Sequence, residues 1–168
     1  MPFDEPDRDQ LLATYLNDHL MGASAGVDLF RRVAGGYSDH DTRGELSELA
    51  DEVADDRDSL LVIMAQLDIK PQTHRMIAGR LVEKIGRLKM NGTVLKRSPL
   101  TDLIELEGLR IGVEGKLAMW RALQAGLHDD RVVPSEIDAL IQRAEHQIER
   151  LEAIRVTAAQ RVFAARPS

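Results

Sequence analysis

A chain of 168 residues and 18.7 kDa is long enough for one well-cored domain and too short to need two. Its net charge of −6 argues against a general nucleic-acid surface, and the absence of cysteine excludes disulfides, thiolate metal sites and thiol catalysis. Aromatic residues make up only 4%, and Pro and Gly gather between long periodic segments, so a single all-α domain over 1–168 is expected.

The opening MPFDEPDRDQ lacks a basic start followed by an apolar run, and no window approaches about 18 uninterrupted apolar residues. No transmembrane segment and a cytoplasmic location are therefore expected. The first helix is predicted over 7–34, with Asp7 and Gln10 forming a capping box and Gly35-Gly36 ending it. At 100° per residue, Leu12, Leu16, His19, Ala23, Val27 and Phe30 share one face, which puts His19 in the core stripe.

Thr42 and Glu45 predict a capping box for a second helix running to about Leu67. Its apolar face comprises Leu46, Leu49, Val53, Asp56, Leu60 and Met64, so one carboxylate points inward while Asp51, Asp55 and Asp58 project outward and Glu52 sits at the edge. Residues 68–97 form a long connection containing a short amphipathic helix with Ile77, Leu81, Ile85 and Leu88, opened by Lys70-Pro71 and closed by Asn91-Gly92. From Lys70 to Arg97 there are eight basic residues and the single acid Glu83, a local charge of +7 against −13 for the remainder. Such a segment suits phosphate groups, an anionic membrane surface or an acidic partner; the plainer reading is that it neutralises acidic helix faces.

Ser98-Pro99 starts the third helix and Gly126 ends it. The helix is apolar nearly all round, yet it carries Glu107, Arg110 and Glu114 on a face flanked by Leu103, Ile111, Leu117 and Ala118. Gly108, Gly112 and Gly115 lie on the other side, each costing about 1 kcal/mol relative to alanine. Close approach of another helix accounts for them best, and a backbone opened to a small ligand is the alternative. With Met119, Trp120 and Leu123 they would make an apolar surface suited to a homodimer. Pro134-Ser135 opens the fourth helix, which runs to about Phe163; its inner face holds Ile137, Ile141, Ala144, Ile148, Leu151, Arg155, Ala158 and Val162.

Four long helices with a short first link, a long crossover and a short last link resemble the ferritin-like superfamily, as do the segments YLNDHLMGASAGVDLFRRVAG and RAEHQIERLEAIRVTAAQRVF. The resemblance covers nearly the whole chain. It implies a four-helix bundle running up, down, down and up, with the short extra helix in the crossover. Metal-binding members carry paired Glu-x-x-His motifs for two iron or manganese ions. Here none of His19, His40, His74, His128 and His146 has an acidic residue three positions before it, and His146 faces solvent on the helical wheel.

With the second and third helices parallel, His19, Asp56 and Glu114 fall within about one turn of the mid-plane, and Glu107, Arg110 and Arg155 about one or two turns to one side. A buried polar cluster is expected, with salt bridges among Glu107, Arg110, Glu114 and Arg155 and with His19 bonded to Asp56 or Glu114. Arginine charge would then stand where a metal-binding relative keeps metal charge. The plainer alternative is long side chains reaching solvent at helix boundaries.

No nucleophile elbow or acid–base pair is visible, so the leading reading is a structural or interaction module rather than an enzyme, with no cofactor. The second is a metal-dependent oxidoreductase or metal-storage protein holding iron, manganese or zinc through His19, Asp56, Glu107 and Glu114. The third is a small-ligand or anion binder using the arginine-rich interior or the basic crossover.

Overall fold

The computed structural model describes residues 7–37, 39–72 and 98–164. The predicted crossover helix, and the basic residues from Arg75 to Arg97, lie outside the described residues. Among the described residues there are four helices and no strand: α1 (Arg8–Gly36), α2 (His40–Gln66), α3 (Pro99–Gly126) and α4 (Pro134–Phe163).

Helix ends follow local chemistry, with two departures from the expected caps. The Ser98 hydroxyl accepts from the Thr101 N–H at 3.2 Å and Pro99 takes the first position of α3, where a missing N–H costs nothing. At α2 the cap is Asp39, whose carboxylate accepts from the Thr42 N–H at 2.9 Å, so Thr42 receives the cap instead of providing it. A carboxylate is the stronger acceptor at the positive end of a helix, and this hydrogen bond holds the Asp39 pKa below its ordinary value. Asp7 precedes α1 but makes no side-chain cap bond, so the box with Gln10 is absent.

After α2 the chain turns through Asp68, which has a φ of 59°. The Ile69 N–H reaches the Met64 carbonyl at 2.8 Å and the Asp68 N–H reaches Ala65 at 3.1 Å, closing the last turn with left-handed geometry that aspartate tolerates better than most residues. Buried Asn17 then clamps the emerging segment to α1: its amide donates to the Ala13 and Lys70 carbonyls, and its oxygen accepts from the Gln72 N–H at 2.7 Å.

α1 packs on α2 and α3 on α4, and the two pairs meet through α1 with α3 and α2 with α4. Polar contacts tie the ends: Arg8 to the Gly126 carbonyl, Arg32 to Glu105, Asp39 to Arg161 and Asp68 to Arg131. The core between the pairs is built from residues such as Leu16, Phe30, Leu46, Leu60, Leu106, Leu109, Trp120 and Leu151. No helix among the described residues is long and apolar enough to cross a membrane.

The phase of α3 differs from the expected one. Its buried seam runs through Leu106, Leu109, Val113, Leu117 and Trp120, while Ile111 is 70% exposed and Glu107 is on the surface. The segment is so apolar that several rotations look equally amphipathic, and the contacts with α4 select one of them. Leu106→Ala should cost about 2–5 kcal/mol in chemical denaturation, whereas Ile111→Ala should stay within about 0.5 kcal/mol. Equal losses at both positions would contradict this phase.

Candidate functional site

Asp56 is the best-buried charge among the described residues, its side chain fully inaccessible at the middle of α2. α3 brings Lys116 to it, three residues beyond buried Val113 and four before buried Trp120. α4 brings Arg143 and Gln147, which bracket Ala144 on the inner face. The Asp56 Oδ1 accepts from the Arg143 Nε at 2.6 Å and from its Nη2, and Oδ2 accepts from the Lys116 ammonium and from the Gln147 amide at 3.1 Å. Both carboxylate oxygens are therefore saturated.

A second layer steadies these donors. The Gln147 Oε1 accepts from Lys116 at 2.5 Å, and its Nε2 also donates to Glu52 at 3.1 Å. Arg150 then holds Glu52 at 2.6 Å, with Glu48 at 3.2 Å and Glu45 at 3.3 Å. Fixed hydrogen bonds of this kind make a buried carboxylate tolerable, because attraction in a poorly solvated interior offsets the loss of hydration. Burial has the larger influence on Lys116 and pushes its pKa below the ordinary 10.5, while the Asp56 charge pulls it back up.

Beside this centre a cleft of about 230 Å³ opens between α1 and α3. Gly22 and Gly26 line one wall and Gly108, Gly112 and Gly115 the other; a Cβ added at any of the five would meet no atom within 4 Å. Phe30, Leu109 and Trp120 line it more deeply, together with Asp56 and Lys116 of the ion centre. The buried Trp120 indole N–H has no hydrogen-bond partner among the described residues. Half-buried His19 is at this cleft with its ring edge-on to Tyr15, the centroids 4.6 Å apart. Burial lowers the His19 pKa and the Asp18 charge opposes the shift.

The six residues expected to form one buried cluster are thus divided. Asp56 alone is buried; it bonds Lys116, Arg143 and Gln147 rather than His19, and neither Asp56 nor Glu114 is a hydrogen-bond partner of His19. Glu107, Arg110, Glu114 and Arg155 are paired near the surface: Arg110 with Glu114 and Arg155 with Glu107 at 3.3 and 3.7 Å. Glu152, not foreseen, joins both arginines, at 3.3 Å from Arg110 and 2.7 Å from Arg155, and the Arg155 hydrogen bond holds its pKa low. His19, Asp56, Glu107 and Glu114 do not converge, and no group of three possible ligands that could hold a metal ion occurs among the described residues.

Of the expected interface, Met119 and Trp120 are buried at 2% and 0% exposure, so they belong to the core. Gly108, Gly112 and Gly115 face the open cleft, with no helix of the described chain closing on them. Lys116 and Gln147 were detectable in the sequence as polar residues at core spacing, i+3 and i−4 from apolar neighbours. Comparison with known proteins finds no matching family model, no matching curated protein and no matching solved structure.

Two tests follow from the ion centre. Asp56→Ala should lower stability by about 3–5 kcal/mol, because it leaves Lys116 and Arg143 without their shared carboxylate. The depressed Lys116 pKa means that the folded chain releases this proton before the unfolded chain does. Between that folded value and 10.5 the unfolded state binds more protons, so the contribution of this group to stability rises with pH. The stability difference between wild type and Lys116→Met should accordingly shift in favour of wild type as the pH is raised from neutral toward 10.5; a difference independent of pH would contradict the shift.

Proposed function

We propose that the chain is a ferritin-like bundle in which Lys116 and Arg143 hold the central carboxylate in place of metal ions, and that it acts as a non-catalytic binding and interaction module. The single observation that carries this reading is the saturation of Asp56: both oxygens are engaged by the side chains of Lys116, Arg143 and Gln147. Such a carboxylate has no lone pair directed at a free position, so it neither ligates a cation nor exchanges a proton with a substrate. The neighbouring ammonium and guanidinium also repel a divalent ion.

The arrangement of the helix ends supports an up, down, down and up course. Arg8 at the start of α1 reaches the end of α3, and Arg32 near the end of α1 reaches Glu105 near the start of α3. Asp39 before α2 meets Arg161 late in α4, and Asp68 after α2 meets Arg131 before α4. These contacts fit α2 and α3 running the same way, as the long connection between them requires.

Elemental analysis of chain purified without chelator should find iron, manganese and zinc well below one per chain, and adding each ion should leave Tm unchanged. A ligand binding only the folded state at 100 times its Kd would add about 2.7 kcal/mol, so a tight site would be visible. Stoichiometric metal that disappears in Asp56→Asn would overturn the reading.

A further inference from the structure

We infer that the α1–α3 cleft is a binding site for a compact, mainly apolar molecule of one or two rings that carries a carbonyl-type oxygen. The inference rests on the reading of the chain as a binding module and assigns that module a site and a ligand class. The cleft volume of about 230 Å³ exceeds the ~150 Å³ of an engineered apolar cavity that admits benzene, so a two-ring body fits its size. Its deeper lining of Phe30, Leu109, Val113 and Trp120 is apolar.

Two residues of this lining carry donors with unused capacity. The Trp120 N–H is buried and has no acceptor among the described residues, which in an interior otherwise costs the full desolvation of that group. Lys116 gives two of its three protons to Asp56 and Gln147, and no further acceptor of the third is present among the described residues. An oxygen on the ligand would satisfy either donor. The glycines are the independent sign that the space is kept open. Five positions on two facing helices lack a Cβ where a Cβ would meet no atom within 4 Å, so packing among the described residues does not require them. Helix propensity would favour alanine at each.

Trp120 is the chain's only tryptophan, so its indole resonance in ¹⁵N-labelled protein reports on the cleft without ambiguity. The full chain is titrated with 2-methylnaphthalene, 2-acetylnaphthalene and 2-naphthoate, which share a ring body and differ in the oxygen. The indole peak should move with the ketone or the carboxylate, whichever source of oxygen the site takes, and that probe should bind about five- to tenfold tighter than the hydrocarbon. Gly112→Leu and Gly26→Leu, from opposite walls, should abolish binding, and the smaller Gly112→Ala should weaken it while raising Tm. No movement with any probe, equal affinity for all three, or retained binding in both leucine variants would overturn the inference. So would a peak that shifts with protein concentration alone, which would assign the cleft to a second copy of the chain. A metal found by elemental analysis would count against the proposed function and leave this titration unaffected, so the two failures are separable.

Discussion

The pairing of Asp56 with Lys116 and Arg143 is the constraint on which the bundle depends. An unpaired carboxylate at that depth would cost several kcal/mol, and the chain meets this cost with donors from two other helices rather than with solvent. Hydrophobic contacts between helices accept many rotations and offsets of similar energy, whereas this centre accepts one. A slip of one helical turn, about 5.4 Å, would carry Lys116 out of reach of Asp56. The surrounding leucines supply most of the stabilisation, and the ion centre selects which of their possible packings is occupied.

The glycine-lined cleft is a cost of another kind. A bundle selected only for stability would carry alanine at Gly22, Gly26, Gly108, Gly112 and Gly115, since a Cβ at each would meet no atom of the described residues within 4 Å. The void also lies directly beside the ion centre, so Lys116 is at once a structural partner of Asp56 and part of the cleft lining. The ion centre and the lining of the cleft are therefore set by the same few residues of α3.

Much of this was legible in the sequence, and what was not has a physical reason. The four helices and their ends follow from periodicity, Pro99, Pro134 and the glycines at 35–36 and 126, and the inward aspect of Asp56 follows from its place between Val53 and Leu60. The partners of Asp56 were not, because Glu107, Arg110 and Glu114 drew attention to a face of α3 that the structure turns toward the surface. In a helix with apolar residues on every side, the hydrophobic pattern does not fix the rotation, and Lys116, three residues after Val113 and four before Trp120, stands out no more than the charges on the other faces. Gln147 and Asn17 carry no charge and so mark the apolar faces only weakly, although each is buried and makes several hydrogen bonds. The cap of α2 was misplaced because Thr42 fits the capping sequence, while Asp39 three residues earlier has the better acceptor.

The ion centre is divided between two halves of the chain, with Asp56 in the α1–α2 pair and all of its donors in the α3–α4 pair. Each pair consists of helices adjacent in sequence, the kind of local contact that forms early in folding. Until the pairs dock, Asp56 keeps its hydration, and water must leave it in the same step in which Lys116 and Arg143 arrive. Docking is thereby all-or-none: half-docked states bear the desolvation without the compensation. The polar core thus ties the two helix pairs into one cooperative unit.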